Sequence, residues 1–281
     1  MKTPKRIQPL VEEGLVDEVI RQLMSGKEAT VYVVRCGDDV RCAKVYKEAH
    51  QRSFRQAVAY QEGRKVKNSR QARAMEKGSR YGRKVQEEAW QNAEVDALYR
   101  LDTAGVRVPH PYICFEGVLL MELVTDADGN AAPRLDDVEL SEELALDYHA
   151  KLLHQVVLML CAGVIHGDLS EYNILIDQDG PVIIDLPQAV DAAGNSSAGP
   201  MLERDVDNLT AFFSSVAPQL ANARYGREIW NLYQAGLLTP DTKLTGRVAI
   251  DKRPVDVGAV MEEIELARLE EEARIRYLQQ A

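Results

Sequence analysis

The pattern of apolar and polar positions divides the first part of the chain into short β-rich runs. Residues 30–36 and 40–46 are rich in β-branched side chains, and Gly37-Asp38-Asp39 lies between them. Two β-rich runs around a Gly/Asp turn are typical of an antiparallel hairpin. Residues 111–124 contain two further apolar runs on either side of Glu116-Gly117, and these predict a second pair of strands.

Longer apolar periods, typical of amphipathic helices, dominate the rest of the chain. Ser141 is a suitable N-cap for a long helix that runs through Ala162, and Gly163 suits the position just after its end. The same periodicity predicts further helices over residues 11–23, 87–101, 203–213, 225–235 and 259–280.

The order of these elements indicates the fold class. Strands come first with one interposed helix, and helices then surround three short apolar runs at residues 164–165, 174–176 and 182–184. This order predicts an α+β protein with two lobes, because the alternating strand and helix order of a doubly wound sheet is absent. The polar connection at residues 125–133 is the expected boundary. It separates an N-terminal lobe of residues 1–124 from a C-terminal lobe of residues 125–281.

Composition excludes several classes of protein. Apolar residues make up 46% and charged residues 28% of the 281 positions, which are the proportions of a folded globular chain. The apolar runs are too short to span a bilayer, and no apolar stretch follows the basic N-terminus. We therefore expect neither a membrane protein nor a secreted one. The four cysteines form no C-x-x-C pair, which predicts reduced thiols in a cytoplasmic protein.

The net charge of −10 conceals an asymmetry between the two parts of the chain. Residues 1–100 contain 21 Lys and Arg against 14 Asp and Glu, whereas residues 101–281 contain 13 against 30. The positive excess is concentrated in residues 44–84, with 13 basic and 3 acidic side chains. Within it, we interpret residues 50–84 as a basic, flexible segment. It has two interpretations. One is a solvated, mobile surface, and the other is a docking site for RNA, a ribosomal or other RNA-protein particle, or an acidic protein.

The most informative motif is His166-Gly167-Asp168-Leu169-Ser170-Glu171-Tyr172-Asn173, which is followed by an apolar run, a turn and Asp185. It matches the H-x-D-L-x-x-x-N catalytic loop of protein kinases and the metal-binding aspartate that comes after it. Phosphoryl transfer requires a carboxylate that orients the attacking hydroxyl and accepts its proton, which here is Asp168. Asn173 and Asp185 are the expected oxygen ligands for Mg²⁺. The alternative is an Asx-rich turn that only links two strands.

The kinase pattern also predicts a phosphate-covering loop further upstream. Its sequence G-x-G-x-x-G-x-V falls on Met24, Gly26, Ala29 and Val31, so a single glycine of the three is retained. Backbone N–H groups of such a turn can cover phosphates, and Ser25 and Lys27 add further donors. The alternative is an ordinary polar turn.

Lys44 lies in a β-rich run at the position where the kinase pattern has its phosphate-contacting lysine. A buried lysine needs a partner. The helix predicted over residues 87–101 offers one, because its residues Trp90, Glu94, Leu98 and Leu101 share one face. A pair between Lys44 and Glu94 is therefore predicted. The alternatives are a solvated lysine on the outer face of the hairpin and a glutamate whose head group lies in solvent.

Together these motifs resemble the RIO family of atypical serine/threonine protein kinases over about residues 20–235. Residues 132–135 and the run Arg204-Asp205-Val206-Asp207-Asn208 also match RIO patterns, and residues 78–101 are similar to the bacterial branch. The resemblance implies a trimmed kinase fold with a small β-rich N-lobe and a mainly helical C-lobe. It also implies ATP with Mg²⁺ or Mn²⁺ as cofactors, and serine or threonine hydroxyls of proteins, including the kinase itself, as acceptors.

The resemblance assigns further roles within the site. Lys44, positioned by Glu94, contacts the α- and β-phosphates, and the backbone of Glu122 and Leu123 contacts the adenine at the hinge. His166 is expected to be structural. Asp185-Leu186-Pro187 replaces the usual D-F-G triplet, so no phenylalanine-based switch is expected.

Two other functions are compatible with the same residues. One is an ATPase-type switch or assembly factor that acts on a ribosomal or RNA-protein particle. The other is a small-molecule kinase, which shares the H-x-D-x-x-x-x-N logic. The loop at residues 24–31 and the run Ser170-Glu171-Tyr172 favour the protein kinase over the small-molecule kinase.

Overall fold

A single antiparallel sheet forms the N-terminal part of the described structure. The structure is a computed structural model that describes residues 3–26, 29–47 and 93–248. Neighbouring strands of the sheet are antiparallel throughout, in the order β1-β2-β3-β5-β4. The strands are β1 (Glu18–Ser25), β2 (Ala29–Cys36), β3 (Asp39–Tyr46), β4 (Pro111–Phe115) and β5 (Val118–Glu122).

The predicted hairpin between β2 and β3 is confirmed. The two strands pair without a bulge, from Ala29 opposite Tyr46 to Cys36 opposite Asp39. Gly37 in the turn has φ 62°, a left-handed conformation that glycine adopts without steric cost. The second predicted pair, β4 and β5, is also confirmed.

The amphipathic helix predicted over residues 11–23 is wrong. The structure has a short helix, α1 (Gln8–Glu12), followed by β1 at the edge of the sheet. Register shifts lie between Val19 and Arg21 and between Gln22 and Met24. Because such bulges interrupt the alternation of a strand, the apolar positions of β1 acquire the spacing of a helix. Pairing with β2, a tertiary contact, decides the outcome.

One face of the sheet packs against the N-terminal segment. Side chains alternate along each strand, so Ala43, Val45 and Leu120 lie on the same face. They form a buried cluster with Leu10 of α1 and with Val16. The members of this cluster are apolar, so it contributes to stability rather than to chemistry.

The opposite face carries Lys44 and packs towards a second helix. Lys44 lies opposite Leu119 of β5 in the register of the sheet. The helix, α2, is described over residues 93–103. Its Leu98 and Leu101 are buried in a large cluster that also contains Leu119. The predicted apolar stripe is therefore confirmed for the described part of this helix, whereas Trp90 lies outside the described residues.

Helices and two pairs of short strands make up most of the remaining described residues. The elements are α3 (Glu142–Cys161), β6 (Val164–Ile165), β7 (Ile174–Asp177), β8 (Gly180–Ile183), β9 (Val190–Asp191), α4 (Ala198–Ser214) and α5 (Tyr225–Gln234). Strand β6 pairs with β9, and β7 pairs with β8. Since strands come first and helices follow, the α+β fold with a β-sheet lobe and a mainly helical lobe is confirmed.

The ends of α3 follow the sequence signals. The Ser141 hydroxyl accepts a hydrogen bond from the Leu144 N–H at 3.2 Å, as an N-cap does. Gly163 after the helix has φ 72°, the left-handed conformation of a C′ residue. Helix α4, by contrast, begins earlier than predicted, at Ala198. A Cβ atom on Gly199 would lie 2.6 Å from Trp230 Nε1, so this glycine allows α5 to pack closely.

Several predictions lie outside the described residues. These are the basic segment at residues 50–84, Lys27 of the loop and the terminal helix over residues 259–280. The chain divides into two units, Met1–Val248 and Ala249–Ala281, and the described residues belong to the first. The lobe boundary between residues 124 and 125 stays a prediction. In the described ranges, no helix has both the length and the apolar character needed to cross a bilayer.

Candidate active site

Lys44 lies at the centre of a cluster of charged side chains. Its Nζ donates hydrogen bonds to Glu94 Oε1 at 2.5 Å and to Asp185 Oδ1 at 2.8 Å. The side chains of Lys44 and Glu94 are only 11% and 6% exposed. The predicted contact between Lys44 and Glu94 is therefore present, and a solvated lysine or glutamate is excluded. Strand β3, helix α2 and the segment after β8 thus meet at one ammonium group.

The opposite charges of this cluster stabilise the charged forms of Lys44 and Asp185. Burial disfavours the charged form of Lys44, but the carboxylates of Glu94 and Asp185 outweigh it and raise the pKa of Lys44. In return, the Lys44 ammonium lowers the pKa of the Asp185 carboxyl. Burial, reinforced by the nearby Glu94 carboxylate, raises the pKa of the Tyr46 phenol. At neutral pH the cluster consequently contains the Lys44 ammonium and the Asp185 carboxylate.

The loop that carries Asp168 is held through its backbone. The Asp168 N–H donates to His166 Nδ1 at 3.3 Å, which leaves Nε2 to carry the proton and donate to the Ile184 carbonyl at 3.1 Å. His166 is buried and therefore structural, as predicted. It connects the Asp168 loop to the residue that precedes Asp185. Burial raises the pKa of the Asp168 carboxyl.

Asn173 lies between Asp168 and Asp185. Its side-chain Nδ2 donates to the backbone carbonyl of Asp168 at 2.8 Å. Its backbone carbonyl accepts a hydrogen bond from the Ile184 N–H at 2.9 Å. Asp185 has φ 68°, a left-handed conformation that is uncommon for a residue with a Cβ atom. The structure therefore brings together Lys44, Glu94, Asp168, Asn173 and Asp185.

Asp205 of α4 is a residue of this site to which the sequence did not assign a role. Its carboxylate accepts from the Gly167 N–H at 2.7 Å and from the Leu169 N–H at 3.2 Å, on either side of Asp168. Burial raises its pKa to about 6. Arg204 donates to the Gly167 carbonyl from the same helix. The sequence signal that could have pointed to Asp205 is an acidic residue on the apolar face of a helix, because a buried carboxylate needs hydrogen-bond donors.

The predicted phosphate-covering loop is described at both ends. Ser25 ends β1 and Ala29 begins β2, and the Gly26 N–H donates to the Ala29 carbonyl at 2.9 Å. Lys47, which sequence reasoning missed, donates to Ser25 Oγ at 3.1 Å and to the Gly26 carbonyl at 2.5 Å. Val31 is the partner of Lys44 across the sheet. The loop is therefore held beside the strand that carries Lys44.

Two residues of the predicted hinge lie at the end of β5. Glu122 is the last residue of the strand, and Leu123 follows it. The Glu122 N–H donates to the His110 carbonyl at 2.8 Å. After the connection, the Arg134 guanidinium reaches back to Met24 Sδ at 3.4 Å and also lowers the pKa of Asp185. Arg134 thus links the loop side of the site to the side that carries Asp185.

Comparison with known proteins identifies the family. A family model described as "RIO domain" matches residues 30–225. The chain belongs to the RIO domain family. The fold and the resemblance inferred from the motifs are thereby confirmed, while membership of the bacterial branch stays a prediction.

Curated relatives of this RIO domain chain carry the name of a kinase. "RIO-type serine/threonine-protein kinase Rio1" of Haloferax volcanii is 35% identical over 212 residues, which are 74% of this chain and 67% of that protein. The protein of the same name from Methanocaldococcus jannaschii is 32% identical, and the match covers 70% of this chain and 63% of the length of that protein. Human "Serine/threonine-protein kinase RIO1" is 30% identical over 73% of this chain, but this match covers only 34% of the human protein.

The RIO domain residues fit a divalent cation. Kinases of this kind use ATP and a divalent metal, and hard cations take oxygen ligands. Asn173 donates from its Nδ2 to the Asp168 backbone carbonyl, which leaves its amide oxygen available to a cation, and the Asp185 side chain is 49% exposed. Within the described ranges, no group of three or more His, Cys, Asp or Glu could hold a metal. The oxygen atoms of this site that could bind a divalent cation are the Asn173 amide oxygen and the Asp185 carboxylate.

Leu186 of the RIO domain replaces the phenylalanine of the usual triplet. It is 2% exposed and belongs to the large apolar cluster. Pro187 follows and restricts the backbone of Leu186 to extended conformations. The residue next to Asp185 is therefore packed into the core.

Proposed function

We propose that this RIO domain chain is an ATP-dependent protein kinase that phosphorylates serine and threonine hydroxyls of proteins, including its own. The observation that carries the proposal is the bridge made by Lys44 between Glu94 and Asp185. A lysine held by two carboxylates next to a proton-accepting aspartate is the arrangement that phosphoryl transfer requires. The names of the relatives support a protein as the acceptor.

In the proposed mechanism each residue has a defined task. Lys44 contacts the α- and β-phosphates and is positioned by Glu94. Bound Mg²⁺, or Mn²⁺ in its place, would be held by Asn173 and Asp185 and would neutralise phosphate charge. Asp168 orients the attacking hydroxyl and accepts its proton while the hydroxyl oxygen bonds to the γ-phosphorus. The bond from that phosphorus to the β–γ bridging oxygen breaks at the same time, and ADP leaves. Catalysis consists mainly of positioning and charge stabilisation.

The nucleotide would bind between the loop and the hinge. Backbone N–H groups of residues 25–29, with the side chains of Ser25 and Lys27, would cover the triphosphate. Gly26, Ala29 and Val31 would lie over the nucleotide. Leu123 and the Glu122 carbonyl would contact the adenine, since the Glu122 N–H already donates to His110.

A labelling experiment tests this function. The purified chain is incubated with γ-labelled ATP and Mg²⁺, alone and with a cell lysate, beside Asp168→Ala and the surface control Asp241→Ala. We expect labelled protein with the wild-type chain and the control, and a loss of about 10²–10⁴-fold with Asp168→Ala. Phosphate release without labelled protein would instead indicate an ATPase-type switch. Label on a small molecule would indicate a small-molecule kinase, and absence of nucleotide binding would refute the proposal.

The partners of the chain beyond ATP are part of the proposal. A protein substrate follows from the kinase activity. For residues 50–84, with their positive charge, we propose contact with a ribosomal or RNA-protein particle in the cytoplasm. Neutralising the arginines and lysines of this segment should abolish salt-sensitive co-sedimentation with ribosomal particles and leave autophosphorylation unchanged.

A further inference from the structure

Gln188 contacts the residue proposed as the proton acceptor. Its Nε2 donates a hydrogen bond to Asp168 Oδ2 at 3.0 Å. We infer that Gln188 is a positioning residue, which orients the Asp168 carboxylate for the incoming hydroxyl. This inference rests on the proposed kinase function and adds a residue to it.

The fold places Gln188 opposite Asp168. Strands β6 and β9 are antiparallel, and Ile165 pairs with Val190. Asp168 comes three residues after Ile165, and Gln188 comes two residues before Val190. Because antiparallel strands run in opposite directions, both residues leave the strand pair at the same end. Their contact is therefore built into the topology.

The turn that carries Gln188 is held in place by its neighbours. The Ala189 N–H donates to the Leu186 carbonyl at 3.0 Å, which closes the turn. Leu186 and Ala189 are 2% and 7% exposed and belong to the large apolar cluster. Gln188 itself is half-buried. A side chain on an anchored turn loses little freedom when it makes one hydrogen bond, so it can fix the orientation of its partner.

The hydrogen bond from Gln188 is suited to orienting Asp168 as a base. A carboxylate has two oxygens, and a donor on Oδ2 sets the rotation of the group and leaves Oδ1 for the substrate hydroxyl. The amide of Gln188 is neutral, so it orients Asp168 without adding a positive charge that would weaken it as a proton acceptor. Within the described residues, Gln188 Nε2 is the side-chain donor to the Asp168 carboxylate. Its hydrogen bond therefore restricts the orientation of that carboxylate.

Two substitutions of matched length separate orientation from packing. Gln188→Met keeps the length of the side chain but has no donor, whereas Gln188→Lys keeps a donor of similar reach. We expect kcat for autophosphorylation to fall about tenfold in Gln188→Met. In Gln188→Lys, which keeps the donor but adds a positive charge that weakens Asp168 as a proton acceptor, kcat should fall by no more than about threefold. The KM for ATP and the melting temperature should be unchanged in both, since neither the nucleotide contacts nor the core is altered.

A matched control is Gln219→Met, because Gln219 Nε2 donates to the Glu142 carboxylate at 2.9 Å on the surface. This control should keep the wild-type kcat. The inference is overturned if Gln188→Met retains full kcat, or if Met is tolerated better than Lys, as packing alone would require. If Gln188→Met fails to fold, the kcat of Gln188→Lys decides. An inactive wild-type chain would refute the proposed function, whereas an active chain with an indifferent Gln188 would refute only this inference.

Discussion

Lys44 and Asp168 lie in the same candidate site, but charged side chains hold Lys44, whereas backbone groups hold the loop of Asp168. The Lys44 cluster joins residues 50 and 141 positions apart in sequence through two ion pairs. The Asp168 loop is fixed by backbone N–H groups that donate to Asp205. In the first arrangement each charge compensates another, so loss of a member leaves a buried charge. In the second arrangement, loss of Asp205 removes hydrogen bonds from the backbone of the loop, so the loop can leave its conformation.

The largest effect is expected from Lys44→Met. Turnover should fall about 10²–10³-fold because the phosphates lose their cation. The free energy of unfolding should also fall by about 3 kcal/mol, because Glu94 stays buried without its charge partner. Labelled-ATP assays and urea denaturation measure the two effects. The double variant Lys44→Met/Glu94→Gln should regain stability but not turnover, and unchanged turnover in the single variant would remove Lys44 from the site.

Asp205→Asn tests how the loop around Asp168 is held by its backbone N–H groups. An amide keeps one acceptor and directs its NH₂ group at a backbone N–H, so one of the two loop contacts is lost. We expect turnover to fall about tenfold and the amides of Gly167 and Leu169 to exchange hydrogen faster. Hydrogen exchange followed by mass spectrometry measures the release. Asp207→Asn, on an exposed position of the same helix, is the control, and equal exchange in both variants would contradict the role of Asp205.

A smaller effect is expected from Glu94→Gln. Lys44 keeps its contact with Asp185, so the ammonium retains one charged partner. We expect kcat/KM for ATP to fall by about fivefold, because a single partner restrains the ammonium less well than two. Steady-state kinetics with varied ATP measure the change. A loss as large as that of Lys44→Met would show that Glu94 does more than position the lysine.

The smallest effect on turnover is expected from His149, which lies neither in the Lys44 cluster nor in the Asp168 loop. His149 is buried in α3, its Nε2 lies 3.2 Å from Thr210 Oγ1, and burial lowers its pKa to about 4. Between about pH 6.5 and pH 4 the unfolded chain therefore binds more protons than the folded one at this residue. The stability contributed by His149 is complete above pH 6.5 and is lost as the pH falls towards 4, by about 3 kcal/mol.

Urea denaturation at pH 7 and pH 4.5 measures this dependence. His149→Gln cannot titrate, so its loss of stability over this range should be smaller than that of wild type. Turnover at neutral pH should be the same in both. Equal losses in the two proteins would show that His149 is not the group that titrates.

Local signals in the sequence predicted the hairpin, the cap at Ser141 and the types of residue in the catalytic loop. These features depend on neighbours within a few positions, and a turn or a cap has the same chemistry in any fold. Edge strand β1 was missed because its bulges imitate the spacing of a helix. Helix α4 was predicted too short because Gly199-Pro200 resembles a break, although Pro200 falls in the first turn, where its missing N–H costs nothing.

The sequence by itself determined the α+β order and the family, and it predicted Lys44, Glu94, Asp168, Asn173 and Asp185 as residues of the site, because motif spacing carries that information. Only the tertiary structure decided that one ammonium serves both Glu94 and Asp185, that Asp205 holds the loop and that Gln188 reaches Asp168. These contacts join residues 20 to 141 positions apart. No local pattern encodes such a contact, since it exists only when buried charges and backbone groups must find partners in the folded core.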